Sequence, residues 1–234
     1  MVTKKIRKEL RRHSSKKNAK NLQRFFKTGP GEYGEGDIFL GVKVPEIRKI
    51  VKRRWQIDLK DIVKLLRSKF HEERLLALLI LVKKYKEGND ASRKKIYAIY
   101  FKHKRYINNW DLIDLTANHI VGSFLADKDK GPIYKLAGSG LLWDRRISVL
   151  ATFHFIKNKR FTDATKIAKI LLNDPEDLIH KAVGWMLREI GKRDLACEER
   201  FLQKHYREMP RTMLRYAIER FPAYKRTAYL IGAI

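Results

Sequence analysis

The chain has 234 residues, of which 53 are Lys or Arg and 26 are Asp or Glu, so its formal net charge at pH 7 is +27. This imbalance indicates a polyanionic partner, with nucleic acid favoured over a membrane surface, and the hydrophobic fraction of 44% excludes disorder as the reason for the charge. A single cysteine excludes an internal disulfide and a multi-cysteine zinc site. There is no apolar run of membrane-spanning length and no secretory signal pattern, so we expect a cytoplasmic protein, associated with the nucleoid if it is bacterial.

The first stretch of the chain, residues 4–27, has a helical pattern and is very basic. Its Lys and Arg side chains repeat without balancing acids, so it fits a basic arm lying along phosphates as well as it fits a solvated pair of helices. Its main apolar anchors are Leu10, Leu22, Phe25 and Phe26.

Glycines in residues 29–37 give a formal match to the dinucleotide-binding pattern G-x-G-x-x-G. That pattern binds phosphate where it follows a strand and opens a helix, whereas here a helical pattern precedes it. The segment also carries acids that would repel phosphate, so we interpret it as a glycine-rich loop. Those acids are Glu32, Glu35 and Asp37.

From Pro45 onward the sequence predicts a succession of helices with almost no strand signal. Similar segments recur at a period of roughly 35 residues, each as a longer helix preceded by a shorter one, which favours HEAT-like or armadillo-like pairs over an ordinary bundle. The predicted fold is an all-α solenoid of HEAT-like repeats that forms a curved, positively charged concave groove. We expect a single domain over 1–234, with basic N-terminal helices and the glycine-rich loop in 1–37 and helical repeats in 38–234. The recurring segments are 74–79, 111–115, 146–150, 181–185 and, more weakly, 211–218.

Residues 109–114 place a tryptophan and a carboxylate on one helical face, because Trp110 and Asp114 are one turn apart. An acid weakens the binding of a polyanion, so Asp114 requires a compensating role, either chemical or as a salt bridge between helices. The face of these two residues lies at the edge of the core side and is predicted to meet a groove. The core side comprises Leu112, Ile113, Ala117, Ile120 and Val121.

Two later helices carry further candidates for nucleic-acid binding. Arg145 and Arg146 begin one helix and are suited to clamp phosphate, although they also fit surface charges that pair with Asp144 or with acids of the next helix. In the other helix Trp185 lies off the apolar arc, where an aromatic among basic side chains can stack on nucleic-acid components. Its basic neighbours on that polar side are Lys181 and Arg188.

Four segments together resemble the AlkD-like DNA glycosylases, the HEAT-like-repeat DNA alkylation repair enzymes. The resemblance extends from about Lys20 to about Phe221, and it implies excision of cationic N3- or N7-alkylated purines from duplex DNA without a metal or organic cofactor. It also implies that the enzyme acts on the deoxyribose without a conventional base-flipping pocket. The segments that carry the resemblance are 39–45, 109–114, 143–146 and 181–189.

The resemblance implies a role for individual residues. Asp114 matches the catalytic carboxylate, and Trp110 and Trp185 match a pair of aromatics beside the lesion. Arg146 matches a phosphate-binding arginine, and Phe25 falls where family members carry a tyrosine near the lesion. A base that is already cationic can leave without a general acid, so a carboxylate that stabilises the developing charge on the sugar suffices.

The predicted activity is therefore that of a monofunctional DNA glycosylase, since no lysine is obviously placed for Schiff-base chemistry, and we expect it to act as a monomer. A second hypothesis is a non-catalytic HEAT-like scaffold that binds damaged or distorted DNA, because a fold alone does not fix function. A third is an RNA-binding or partner-binding scaffold, which rests on the charge and the repeats alone.

Overall fold

The computed structural model describes residues 2–234. Regular structure in these residues is helical, apart from one isolated bridge between Ile38 and Phe70, so the all-α prediction is confirmed. Short 3-10 helices lie at Lys104–Tyr106 and Ile218–Arg220, and a π-helix spans Asn118–Gly122. The α-helices are α1 (Val2–Arg11), α2 (Lys16–Phe25), α3 (Val44–Arg54), α4 (Leu59–Leu66), α5 (His71–Glu87), α6 (Asp90–Lys102), α7 (Trp110–Asp114), α8 (Ser123–Leu125), α9 (Gly131–Ala137), α10 (Leu142–Lys157), α11 (Thr162–Ile170), α12 (Asp177–Gly191), α13 (Leu195–His205), α14 (Arg211–Ala217) and α15 (Ala223–Ile231).

The chain divides into two compact units, Met1–Thr116 and Ala117–Ile234. In the first unit α5 is the central helix and packs against α3, α4 and α6, while α1 covers α3 and α4. In the second unit α10 and α12 are central, and α14 packs against α12. Each helix in the described residues 2–234 is too short or too polar to cross a membrane.

The predicted pairing of a shorter with a longer helix is confirmed for three of the five recurring segments. Helices α5, α10 and α12 have 17, 16 and 15 residues and follow α4, α9 and α11, which have 8, 7 and 9. The prediction is wrong for the fifth segment, where α14 has 7 residues and follows the 11-residue α13.

The prediction is also wrong for the second segment, because α7 ends after only five residues. Thr116 competes for the helical hydrogen bonds there: its hydroxyl donates to the backbone carbonyl of Leu112 at 2.5 Å and lies 3.2 Å from the hydroxyl of Tyr100. The break places Asp114 at the carboxyl end of a single helical turn. Helical structure resumes as the π-helix of the second unit.

The prediction of a glycine-rich loop between α2 and α3 is confirmed, since residues 28–37 form turns without a helix or strand. Two of its acids close those turns: Glu32 accepts a hydrogen bond from the amide of Gly29 at 2.7 Å, and Glu35 accepts one from the amide of Gly31 at 2.9 Å. These carboxylates therefore stabilise the loop, and the nucleotide interpretation finds no support in its geometry.

The segment that follows the loop, residues 40–42, lies between α2 and α5 and contacts both helices. Glu72 on α5 accepts hydrogen bonds from the backbone amides of Leu40, Gly41 and Val42 at 2.9, 2.7 and 3.1 Å. Gly41 has a φ of 78°, and a Cβ atom there would collide with the carbonyl oxygen of Ser15 and lie 2.6 Å from the amide nitrogen of Ala19. Only glycine allows this close approach, which holds α2 against the segment.

In the second unit a glycine explains the close contact of α12 with α14. A Cβ atom at Gly184 would collide with the carbonyl oxygen of Met213 and lie 2.5 Å from the Cβ of Tyr216. The apolar arc predicted for α12 is buried as expected. Its members are Ile179, Ala182, Val183, Met186, Leu187 and Ile190.

Candidate active site

The first unit contains a pocket of about 500 Å³ between α2, α3, α5 and α7. Three of the residues predicted for the site line it together: Phe25, Trp110 and Asp114. Trp110 and Asp114 are half-buried, whereas Leu112 and Ile113 on the core side of α7 are fully buried. The prediction that Trp110 and Asp114 share a face at the edge of the core is therefore confirmed.

Aromatic rings form one wall of this aromatic pocket. Trp110 stacks on Phe26 at a centroid distance of 5.0 Å, and Phe26 stacks on Phe39 at the same distance. Phe39 in turn stacks on the imidazole of His71 at 4.5 Å. Phe25 meets Trp110 edge to face at 5.9 Å and remains 63% exposed, so it offers an apolar ring to an incoming ligand.

A buried polar network holds the start of α7. The ring nitrogens Nδ1 and Nε2 of His71 lie 2.9 Å from carboxylate oxygens of Asp37 and Asp111, respectively. Asp37 also forms an ion pair with Arg74 and accepts a hydrogen bond from the side chain of Asn109 at 3.2 Å. We call these side chains the His71 network. The network contacts both Asn109 and Asp111, the residues on either side of Trp110.

The charge state of His71 follows from its surroundings. Burial lowers the pKa of the imidazole, but the charges and hydrogen bonds of Asp111 and Asp37 outweigh it and raise the pKa to about 9. At neutral pH the ring is therefore an imidazolium that donates from both nitrogens. At Asp37 burial raises the pKa of the carboxyl, but the hydrogen bonds and charges of His71 and Arg74 outweigh burial and lower it.

The surface of the pocket is mostly apolar, with a few charged side chains among the residues that line it. Glu72 and Asp111 are buried and already contact backbone amides and His71, whereas Asp114 is half-buried. The carboxylates of Glu72, Asp111 and Asp114 line it, against the cations Lys43 and His71, whereas the whole chain carries +27. Burial raises the pKa of the buried Tyr100 hydroxyl, and the charge of Asp114 adds to that effect. The pocket thus offers an apolar, largely aromatic surface together with the half-buried carboxylate of Asp114.

One face of helix α2 lines the pocket, and another face is exposed to solvent. Asn18, Asn21, Leu22 and Phe25 line the pocket at helical spacing. The other side carries exposed cations that form no ion pair within residues 2–234, an arrangement that suits contact with phosphates. These cations are Lys16, Lys17, Lys20 and Arg24.

In the second unit Trp185 is half-buried on α12, off the apolar arc as predicted. Its indole nitrogen donates to Glu189 at 3.3 Å, and its ring lies 5.8 Å from that of Phe153. The two cations predicted beside it each have an acidic partner. Lys181 pairs with Asp177 at 2.6 Å, and Arg188 pairs with Glu219.

The arginines that begin α10 are engaged with the protein. Arg145 donates to both carboxylate oxygens of Asp174, at 2.6 and 3.3 Å. The sequence had left open whether this arginine pairs with an acid of the protein, and the structure contains such an ion pair. Arg146 is only 5% exposed and donates to the backbone carbonyl of Leu178 at 2.5 Å. Binding of phosphate by Arg145 or Arg146 stays a prediction.

Several residues of the site were missed by sequence reasoning. Asp37 was assigned only to the loop, and neither His71 nor Glu72 was singled out. The residues next to each of them in the sequence do not indicate its partner, which lies far away along the chain. Asp111 lies inside residues 109–114, a segment that carries the family resemblance. Its place in that segment is the sequence feature that could have indicated the His71 network. Within residues 2–234 no cluster of His, Cys, Asp or Glu side chains is arranged to hold a metal ion.

The helical repeats and the aromatic pocket define a class of all-α repeat protein with a candidate ligand site in its first unit. Residues 6–221 match the model of the family described as "DNA alkylation repair enzyme", so the chain belongs to the DNA alkylation repair enzyme family, and the resemblance found in the sequence is confirmed. Membership of this family implies DNA as a partner.

A solved structure has the same fold. It is the "Predicted DNA alkylation repair enzyme from Enterococcus faecalis", with a TM-score of 0.68 and 14% sequence identity. The match covers 90% of this chain and 98% of that one. No curated protein sequence matches the chain.

Proposed function

We propose that this protein is a monofunctional DNA glycosylase that hydrolyses the N-glycosidic bond of cationic N3- or N7-alkylated purines in duplex DNA. One observation carries the proposal: the carboxylate of Asp114 lines an apolar pocket with Trp110 and Phe25, in a chain with a net charge of +27. A carboxylate at a DNA-binding surface weakens binding, and a chemical role is one that compensates for this cost.

The chemistry requires little besides this carboxylate. The bond between C1′ of the sugar and the purine nitrogen breaks, and its electron pair neutralises the positive charge of the leaving base. Asp114 stabilises the oxocarbenium-like sugar by its charge in a partly dry site. The oxygen of a water molecule then bonds to C1′, while Asp114 orients that water and accepts its proton.

Aromatic side chains add to the stabilisation of positive charge. The rings of Trp110 and Phe25 can present π faces or edges to the cationic lesion and sugar, and each favourable cation–π contact contributes about 0.5–2 kcal/mol. The His71 network fixes the start of α7, so Trp110 is held in place before the DNA binds.

Residues of the second unit belong to the proposal because the family resemblance assigns roles to them. The resemblance assigns Trp185 to the lesion and Arg146 to phosphate. Arg145, Lys181 and Arg188 are further proposed phosphate contacts. Since Arg145 and Arg188 form ion pairs with acids of the protein, phosphate would have to replace those acids for either guanidinium to bind DNA.

Release of free base tests the proposed function directly. We expect the wild-type protein to release 7-methylguanine from a duplex that contains a single N7-methylguanine, and to leave an abasic site in an uncut strand. The matched undamaged duplex is expected to release nothing. Tight binding of the alkylated duplex without release of the base would instead favour a non-catalytic, damage-binding scaffold.

Binding to DNA is expected to fall steeply with salt, with a slope of log affinity against log salt of about −0.9 per phosphate contact. Arg24→Ala should reduce that slope by about one unit, because the side chain is exposed on the basic side of α2 and has no acidic partner within residues 2–234. Titrations of a fluorescent duplex between low and high salt measure the slope.

Lys83→Ala is the matched control for Arg24→Ala. Lys83 pairs with Glu87 at 2.6 Å, so its charge is already compensated and its loss should leave the slope unchanged. An unchanged slope for Arg24→Ala would remove this side of α2 from the DNA-binding surface.

A further inference from the structure

The basic face of α1 has no part in the proposed excision chemistry. Two of its cations, Lys4 and Arg7, line a cleft of about 570 Å³ between α1, the end of α4 and the 3-10 helix Lys104–Tyr106. We propose that this cleft, the Tyr106 cleft, is a second binding site for backbone phosphates of duplex DNA, separate from the aromatic pocket. The proposal requires DNA as a partner and does not depend on base excision. The residues that line the cleft are Thr3, Lys4, Arg7, Lys64, Arg67 and Tyr106.

Two arginines converge on one oxygen at Tyr106. Arg105 donates to the Tyr106 hydroxyl at 2.8 Å, and Nε of Arg67 donates to the same oxygen at 3.5 Å. The two guanidinium groups also lie 4.8 and 6.0 Å from the centroid of the ring. Neither arginine pairs with an acid in the part of the chain that the structure describes. Like charges this close repel each other, and an anion bound between them would remove the repulsion.

The hydroxyl of Tyr106 adds a third donor for a phosphate group. Its oxygen accepts from both arginines, and its proton is donated to no acceptor within residues 2–234. The hydrogen bonds of Arg67 and Arg105 lower the pKa of this hydroxyl, which makes it a stronger hydrogen-bond donor. Guanidinium groups bind phosphate through paired N–H groups, so two of them beside a hydroxyl suit the oxygens of a phosphate diester.

Further cations extend this site along α1. Lys4, Lys8 and Arg12 follow one another at intervals of four residues and therefore lie on one face. They form no ion pair with the acids of the described residues 2–234. At a rise of about 1.5 Å per residue this stripe is about 12 Å long, which spans about three or four phosphates of one strand. The stripe therefore suits a polymer of phosphates better than a single small anion.

Acids beside the cleft already have partners. Glu73 on α5 pairs with Arg7 at 2.8 Å, and its side chain is only 1% exposed. Asp61 on α4 accepts hydrogen bonds from Thr3 at 2.9 Å and from Lys64 at 3.1 Å. These contacts hold α1 against α4 and α5. The cations that lack an acidic partner remain available for a ligand.

The Tyr106 cleft and the aromatic pocket lie on different sides of the first unit. His71 on α5 lines the aromatic pocket, whereas Glu73 on the same helix contacts Arg7 of the cleft. Two residues along an α-helix are separated by about 200° around its axis. Among the described residues none lines both cavities. The cleft can therefore hold phosphates other than those beside the lesion, from the flank of the same duplex or from a second duplex.

Substitution of Arg67 tests whether the cleft binds phosphate. Arg67→Ala is expected to reduce the slope of log affinity against log salt by about one unit for an undamaged duplex of about 40 base pairs. Arg160→Ala is the control, because Arg160 is exposed and already pairs with Asp127 at 2.7 Å, so its loss should leave the slope unchanged. An unchanged slope for Arg67→Ala, or equal decreases in the two variants, would overturn the proposal.

Tyr106→Phe tests the site without a change of charge. It keeps the ring and removes the hydroxyl, so affinity for the same duplex should fall about threefold or more. The circular dichroism spectrum reports whether each variant is folded. Wild-type affinity in folded Tyr106→Phe would also overturn the proposal, since charge alone would then account for binding.

Duplex length distinguishes the two sources of phosphate. If the phosphates belong to the flank of the bound duplex, Arg67→Ala weakens binding of the duplex of about 40 base pairs and not of one of about 12. If they belong to a second duplex, native mass spectrometry should show one wild-type protein with two short duplexes, and Arg67→Ala with one. Either result supports the cleft, and neither result in any variant overturns it. Failure of base release contradicts the proposed glycosylase and leaves these binding measurements unaffected.

Discussion

Asp114→Asn is expected to lower the single-turnover rate of base release about 100-fold or more. The substitution keeps the size of the side chain and removes its charge, so the oxocarbenium-like sugar loses its counter-charge and the attacking water loses its base. Affinity for the alkylated duplex should stay the same or rise, because a negative charge that repels phosphate is gone. Release of 7-methylguanine and duplex binding are measured on the same preparation.

The control for this variant is Asp90→Asn, the same change at an exposed position at the start of α6 that does not line the pocket. It should excise at the wild-type rate. If Asp114→Asn also excises at the wild-type rate, Asp114 has no catalytic role, and the observation that carries the proposed function is lost.

His71→Ala is expected to lower the free energy of unfolding by about 3–5 kcal/mol, because it leaves the buried carboxylates of Asp37 and Asp111 without their shared imidazolium. Urea denaturation at pH 7 measures the loss. His13→Ala is the control: this exposed histidine lies 3.6 Å from Glu46, and its removal should change stability by no more than about 0.5 kcal/mol. Equal losses in the two variants would contradict the central place of the His71 network.

The same histidine makes stability depend on pH. Its pKa is about 9 in the folded chain and 6.5 for an ordinary histidine such as that of the unfolded chain, so between these values the folded state binds the additional proton. The stabilisation is fully present below pH 6.5 and is lost as the pH rises through about 9. Urea denaturation at pH 6 and at pH 9.5 should show a decrease for the wild type that His71→Ala lacks. An equal decrease in both proteins would assign the effect to other groups.

Periodicity in the sequence predicted those features that depend on neighbours along one helix. The arc of Ile179, Val183 and Met186 on α12 is buried because their spacing places them on a single face, and tertiary packing did not alter that. The shared face of Trp110 and Asp114 was predictable for the same reason. Family resemblance then placed Phe25 near them, and the structure has all three in one pocket.

Features that depend on distant partners were not predictable. His71 meets Asp37 and Asp111 across 34 and 40 residues of chain, and none of the three sequence environments indicates the others. The break after Asp114 was hidden because Ala117 continues the apolar pattern and is buried whether or not the helix is continuous. The pocket itself arises from four helices, and its lining follows from which of their residues face inward.

The half-buried carboxylate of Asp114 would affect how a DNA glycosylase of this kind searches DNA for its substrate. Contacts with phosphate weaken steeply as salt rises, whereas attraction between a cationic base and a half-buried carboxylate is much less screened. On the proposed function, dwell time on intact duplex would therefore shorten with ionic strength, while the preference for a lesion over intact sequence would be retained. At the ionic strength of a cell the basic side of α2 would release undamaged DNA quickly, and Asp114 would prolong residence only beside a positively charged base.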